Sequence, residues 1–389
     1  MKSSMNEIVP LRRLTHDNFK REYFLYVPSS YSDKDESPIV LNFHGFGGTA
    51  AGQLHYSDWR ELSDKFGFIL IYPQGLELQK GGSHWNPDPI TSDGKSTSND
   101  LGFIRKLLKK ISIKYSVDAS RTYATGYSNG AGMAYGLAHH ESDLIAGIAP
   151  ISGLMSDRNL LTRQDVSPVG LISFNGDQDW VRPVSGIEGY LASTFDTSHY
   201  WAQVNNSSRT QLKQFEQSSG DHIERTSYFR EDGSAVVEQY IINRGGHEWF
   251  DLNVGGKNLD HLAWDFLSKL SKEKGDLIIA QDNSFDIYIP DSFKRRVVDK
   301  ITNFNPSINT LEIDVDSFNI ERSATFAPGN NTKSVKKKLA KHDFDFLYDE
   351  KKGGLYFNEN GADKGFGDGG IIAILKGAPE LTAENIDFV

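Results

Sequence analysis

Short apolar runs closed by turn residues alternate with amphipathic stretches over roughly the first 270 positions. Residues 38–43 and 66–72 are two such runs, as expected of strands buried on both faces of a parallel sheet. Leu101, Ile104, Leu107, Leu108, Ile111 and Tyr115 recur at helical spacing with lysines between them, and Asn99 or Asp100 is placed to cap that helix. Residues 145–151, 169–174 and 236–242 read as further strands. Residues 260–270 read as a closing helix with Leu262, Phe266, Leu267 and Leu270 on one side. Strand–helix alternation of this kind predicts an α/β fold with a mostly parallel sheet.

Beyond residue 270 the pattern changes. Apolar positions thin out, and Asp, Asn, Lys and Phe dominate. Residues 277–280, 285–289 and 311–315 alternate near period two, which predicts short strands; 333–341 is a basic, helix-compatible stretch, and 353–370 is glycine-rich and turn-like. The break falls at residues 271–276 and predicts two domains: 1–270, and a smaller β-rich domain over 271–389.

A chain of 389 residues is too long for most single compact domains, which agrees with that division. A formal net charge of −10 argues against a nucleic-acid partner, which requires a basic face. With no cysteine, disulfides, thiolate chemistry and zinc–thiolate sites are excluded. Residues 1–10 lack the apolar core of a cleaved signal peptide, and no apolar run reaches the length of a membrane span, so no membrane insertion is expected.

The chemistry concentrates at Gly126-Tyr127-Ser128-Asn129-Gly130, a Gly-x-Ser-x-Gly pattern between an apolar run and a small-residue helical stretch. A serine in a tight strand-to-helix turn is exposed at the sheet end, and flanking glycines allow strand and helix to approach. Such a serine requires a base and an orienting acid, in the chain order serine, acid, histidine. Asp179, after the strand ending at Phe174, is the first choice for the acid, with Asp177 as runner-up. His247, preceded by Gly245 and Gly246, is the third member in that order. His139 and His140 follow the turn on its helix, His222 is expected in a polar loop, and His261 starts the closing helix. Two amide donors for an oxyanion are expected: that of Asn129, at a helix start, and one from the loop Asn42-Phe43-His44-Gly45-Phe46-Gly47-Gly48. Phe46 is the pick there, with Gly45 or Gly47 next, and His44 is expected to brace the loop.

With these segments in view, residues 18–270 resemble the polyhydroxybutyrate depolymerase, feruloyl esterase and acetyl xylan esterase group of α/β-hydrolases. The resemblance lies in residues 21–28, the His44 loop, Tyr72-Pro73-Gln74-Gly75, Trp85-Asn86 and, most specifically, residues 115–130. It implies an α/β-hydrolase fold and a carboxylic ester hydrolase with Ser128 as nucleophile, Asp179 as acid and His247 as base. The acyl groups it implies are feruloyl, acetyl-polysaccharide or hydroxyalkanoate, so an ester substrate that includes polymers. Trp85 and Trp180 are the expected substrate contacts, Trp85 having core packing as its alternative. The chain departs from the group at Asn175-Gly176-Asp177, where His-Gly-Thr is common.

The tail has a resemblance of its own. Residues 298–306, 345–349, 354–361, 371–375 and 381–382 resemble the C-terminal part of RTX-type secreted proteins. That implies an uncleaved signal for type I export machinery and a secreted enzyme, the alternatives being a cytoplasmic one and a β-rich accessory or binding module. The calcium-binding nonapeptides of that class are missing, so no cofactor is expected and calcium is left open in the C-terminal domain. The rival readings of the whole are a serine peptidase of prolyl-oligopeptidase type and an inactive polymer-binding protein on the same scaffold.

Overall fold

The computed structural model of the chain describes residues 9–78, 81–90, 98–162, 166–217, 220–272, 277–279, 286–289, 298–313, 315, 318, 320, 324–330, 332–339, 342–361, 366 and 369–388. It divides into two compact units, Met1–Lys272 and Glu273–Val389.

The first unit is built on a ten-stranded sheet. Its strands are β1 (Leu11–His16), β2 (Phe19–Tyr26), β3 (Ser37–Phe43), β4 (Ile69–Pro73), β7 (Val117–Tyr127), β8 (Gly147–Ile151), β9 (Gly170–Gly176), β10 (Arg209–Glu216), β11 (His222–Phe229) and β12 (Ala235–Ile242). A separate hairpin of two-residue strands, β5 (Leu76–Glu77) and β6 (Ser83–His84), lies between β4 and β7 in the chain. The spatial order is β1-β2-β4-β3-β7-β8-β9-β12-β11-β10. The six central strands run parallel, and an antiparallel pair is added at each side. This is the α/β-hydrolase arrangement. The helices are α1 (Ala50–Tyr56), α2 (Arg60–Phe66), α3 (Asp100–Lys114), α4 (Asn129–His140), α5 (Asp157–Leu161), α6 (Thr194–Val204) and α7 (Leu259–Leu267).

The central strands read as continuous apolar runs because both faces are covered. Neighbouring residues point to opposite faces, so Leu41, Ile71, Ala124 and Leu171 join one core with Leu107 of α3 and Leu137 of α4. Val40, Leu70, Tyr123 and Ile172 join the other, with Leu62 of α2 and Trp264 of α7. Asn99 caps α3 by accepting from the Gly102 amide at 3.0 Å.

Three expectations shift. Phe66 and Gly67 do not open a strand: Phe66 ends α2, and Gly67, at φ 75°, closes that helix in the left-handed region. The closing helix stops at Leu267, yet Leu270 still packs, filling the space above Gly147 and Gly170. His222 opens β11 rather than lying in a loop.

The second unit has its own core of Ile301, Leu311, Phe346, Leu355, Ile372 and Leu375. Its strands are β13 (Leu277–Ile279), β14 (Asp286–Ile289), β15 (Asp299–Thr302), β16 (Thr310–Ile313), β17 (Phe326–Gly329), β18 (Phe346–Asp349), β19 (Gly354–Phe357), β20 (Gly370–Leu375) and β21 (Ile386–Phe388). They form a six-stranded sheet, β13-β15-β20-β19-β18-β17, and a parallel three-stranded sheet, β14-β16-β21. The basic stretch forms α8 (Thr332–Leu339). Residues 353–370 are not all turn, because Leu355 and Phe357 are buried from strand β19. Ala280, Phe285, Asp314 and Lys341 lie outside the described residues.

A buried ion pair ties β2 to α3 in the first unit. Arg21 donates to Asp100 at 2.6 Å, with both side chains all but closed to solvent and the guanidinium lying 3.9 Å over the Phe103 ring. The second carboxylate oxygen of Asp100 accepts from the Asn86 amide at 2.8 Å, and Arg21 also donates to the Gln74 carbonyl at 3.2 Å. Removing the charge of one partner strands the other in the core, which costs about 3–5 kcal/mol. Asp100→Asn therefore lowers the midpoint of the first unit's urea transition strongly, whereas Arg13→Gln, which breaks the exposed pair with Glu22, leaves it nearly unchanged.

Candidate active site

Ser128 stands between β7 and α4 with φ 54° and ψ −111°, a conformation that L-residues rarely adopt. Its own amide donates to the Ile151 carbonyl at 2.9 Å, and its carbonyl accepts from Gly132 at 3.0 Å, so the turn is held from both sides. The two glycines of the pentapeptide have distinct steric reasons. A Cβ on Gly126 would stand 2.7 Å from the Gly130 backbone, and one on Gly130 would stand 2.3 Å from the Phe43 carbonyl oxygen.

The structure brings Ser128, Asp179 and His247 together. Ser128 Oγ lies 2.8 Å from His247 Nε2, and His247 Nδ1 lies 2.7 Å from Asp179 Oδ2. The Asp179 side chain is fully buried, and its other oxygen accepts the amides of Val181 and Arg182, each at 2.8 Å. A carboxylate so held accepts a hydrogen bond from Nδ1–H, which keeps the proton on Nδ1 and leaves Nε2 free to accept from the serine hydroxyl. Asp177, the runner-up, works elsewhere. It accepts from the Arg244 amide at 2.7 Å and from Asn243 Nδ2 at 3.0 Å, and so shapes the turn that precedes the histidine loop. Close contact between the acid and histidine loops explains Gly176, where a Cβ would stand 2.1 Å from the Gly245 carbonyl oxygen.

The His247 loop is pinned at three successive residues. Tyr127 donates to the His247 carbonyl at 2.7 Å, Ser152 to the Glu248 carbonyl at 2.5 Å, and the Trp249 amide to the Tyr56 hydroxyl at 3.1 Å. Sequence reasoning missed all three side chains. Ser152 has one local signature in the structure, a φ of 47°, but nothing in its sequence neighbourhood announces it.

On the opposite side lies the His44 loop. The Gly47 amide donates to the Ser83 carbonyl at 2.8 Å and the Gly48 amide to the Gly45 carbonyl at 3.0 Å, which removes Gly47 from the candidate oxyanion donors. His44 is buried, and burial holds its pKa below the ordinary histidine value. Its Nε2 accepts from the Gly75 amide at 3.0 Å, so Nδ1 carries the proton and donates to the Gly45 carbonyl at 2.8 Å. The described peptides are all trans, so a Gly45 carbonyl drawn toward His44 turns the Phe46 N–H the other way. His44 thus braces the loop and sets one amide's direction.

Trp85 does not line an open pocket. It is buried, packs edge-on to Phe43 at 5.0 Å, and donates from Nε1 to the His44 carbonyl at 3.0 Å. The Asn129 side chain grips the Trp85 backbone from both sides, accepting from its amide at 2.7 Å and donating to its carbonyl at 3.1 Å. Its place in the core joins the serine turn to the His44 loop. Trp180, by contrast, is 88% exposed directly after the acid, and the Phe46 side chain is 62% exposed. His139 is buried against Tyr200 and His140 faces Asp88, both away from this constellation.

Among the described residues, no cluster of histidine and carboxylate side chains could hold a metal ion, and no helix is long and apolar enough to cross a membrane.

Replacing the acids one at a time separates them. Asp179→Asn removes the charge that selects the imidazole tautomer and lowers kcat by up to about 10⁴-fold. Asp177→Asn leaves the 2.8 and 2.7 Å contacts in place and retains most activity, as steady-state ester hydrolysis will show.

Residues 21–165 match the family model described as Esterase PHB depolymerase. Feruloyl esterase B of Piromyces equi is 25% identical over 262 residues, which are 64% of this chain and 45% of that protein. Poly(3-hydroxyalkanoate) depolymerase C of Paucimonas lemoignei is 26% identical over 247 residues, 58% of each chain. Among solved structures, an acetyl xylan esterase from Aspergillus awamori aligns with a TM-score of 0.48 at 19% identity, covering 67% of this chain and 99% of that one. This chain thus spans about half the length of the first two relatives. Residues 21–165 thus match the Esterase PHB depolymerase model, and the unit that contains them has the α/β-hydrolase fold.

Proposed function

We propose that the chain is a serine ester hydrolase acting through an acyl-enzyme, with Ser128 as nucleophile, His247 as general base and Asp179 as the acid that orients it. The observation that carries this reading is the unbroken run from Ser128 Oγ to His247 (2.8 Å) to Asp179 (2.7 Å), mounted on a strained turn at the start of α4. His247 takes the serine proton as Oγ attacks the ester carbonyl, then gives it to the leaving alcohol; water repeats the sequence on the acyl-enzyme. The amides of Asn129 and Phe46 receive the oxyanion, each worth about 3 kcal/mol in the transition state. Two observations support Phe46: the Gly47 amide is already engaged, and the Gly45 carbonyl is held by His44.

Relatives named for feruloyl esters and for poly(3-hydroxyalkanoate) point to bulky or polymeric acyl groups as substrates here. Trp180 beside the acid and Phe46 on the His44 loop present exposed aromatic surface suited to such a partner. Trp180, not the buried Trp85, is therefore the substrate contact in this reading. The second unit is proposed as a type I export module on a secreted enzyme, supported by its RTX-like segments and its separate core.

Ser128→Ala abolishes p-nitrophenyl acetate hydrolysis and fluorophosphonate labelling with unchanged thermal unfolding; retained turnover removes the assignment. Trp180→Ala raises KM for feruloyl or oligomeric hydroxybutyrate esters several-fold more than for p-nitrophenyl acetate, and equal effects on all three would count against the aromatic contact. Deleting residues 273–389 leaves acetate ester hydrolysis within about twofold, because the first unit keeps its own cores, while blocking export in a host that carries the machinery.

A further inference from the structure

The residue immediately before Ser128 touches both catalytic loops at once. Tyr127 donates from its hydroxyl to the His247 main-chain carbonyl at 2.7 Å. Its ring lies 5.1 Å from the His247 imidazole, centroid to centroid, at an interplanar angle of 40°. The same ring lies against Gly45: a Cβ built there would stand 2.9 Å from the Tyr127 Cδ1. Tyr56 packs on it edge-on at 5.8 Å and accepts from the Trp249 amide two residues beyond His247. We propose that Tyr127 is a positioning residue, which sets the distance between His247 and Ser128 and at the same time seats the loop carrying the Phe46 amide. The inference rests on the proposed Ser128–His247–Asp179 chemistry.

The physical case has three parts. The chain from Ser128 to His247 is long, so their 2.8 Å contact depends on whatever fixes the histidine's backbone relative to the serine turn. Asp179 fixes the imidazole edge through Nδ1, but leaves the ring's carrier free to shift along the loop. Ser152 and Tyr56 hold the two residues that follow, and the Tyr127 hydroxyl, carried by the neighbour of Ser128, holds the carbonyl of His247 itself. Partial burial raises the Tyr127 phenol to about 12, so the hydroxyl remains a donor throughout the neutral range. The ring then serves a second purpose. During acylation His247 becomes an imidazolium, and an aromatic ring about 5 Å away attracts that cation, at a distance within the range of cation–π contact. Gly45 lacks a Cβ because the ring occupies that space, so the His44 loop is seated against the same side chain.

Two variants separate the hydroxyl from the ring. Tyr127→Phe retains the ring and removes the bond to the His247 carbonyl. Tyr127→Leu removes both. Each is assayed on p-nitrophenyl acetate, with fluorophosphonate titration to count competent sites and thermal unfolding to count folded ones. Tyr127→Phe is expected to lower kcat about tenfold per titrated site with KM within twofold, in line with the cost of slight misplacement. Tyr127→Leu is expected to lose about a further tenfold and to be labelled more slowly. Wild-type kcat in Tyr127→Phe overturns the proposal while Ser128 labelling leaves the catalytic reading intact. A raised KM at constant kcat also overturns it, since the tyrosine would then be a substrate contact. Absence of Ser128 labelling in the wild-type protein overturns both.

Discussion

Close approach of α4 to the end of β3 is the constraint on which the site depends. With hydrogen in place of Cβ at Gly130, the helix starts directly beside the Phe43 and His44 carbonyls. Only at that separation can the strand-to-helix turn hold Ser128 at φ 54° and point its hydroxyl out of the sheet. The strain is sustained because the turn is fastened on each side, to β8 through Ile151 and to the Trp85 backbone through Asn129. Strained backbone persists only where surrounding structure over-determines it, as these fastenings do.

A polar network behind the His44 loop has a parallel role. Arg21 and Asp100 neutralise each other in the core while Arg21 also holds the Gln74 carbonyl. Gln74 in turn supports the Ala50 amide at 2.8 Å and lies 3.2 Å from His44 Nε2, and His44 orients the Gly45–Phe46 peptide. A loop of small residues has little packing of its own, so its geometry is borrowed from these buried groups. Charged residues at such depth are weak contributors to net stability, and their retention is better understood as setting geometry.

Much of this was legible from the chain because the chemistry imposes an order. Ser128, Asp179 and His247 each follow a strand at the same end of a parallel sheet, so a pentapeptide, an aspartate loop and a histidine loop in that sequence identify one another. Other features depend on contacts between distant segments and leave no local trace. Trp85 sits among polar and glycine residues that resemble a surface turn, and only the folded chain shows it filling the gap between His44 and Asn129. The edge strand β10 has almost no buried residue, hence no alternation to detect. Tyr127 occupies a variable position of a motif whose glycines and serine draw all attention, while its partner stands 120 residues away. Residues 353–370 looked like turn because glycine content outweighed the short alternation of Leu355 and Phe357.

The pairing scheme of the second unit bears on when that unit can fold. Leu311 pairs with Ile386 and Ile301 with Leu375, so both of its sheets require strands far apart in the chain to meet. Parallel pairings of that kind form slowly, since the intervening loop must be closed before any contact is gained. During synthesis neither sheet can be completed before β20 and β21 have emerged. The central β3–β7 pairing of the first unit, by contrast, lies wholly in chain made well before the second unit is reached.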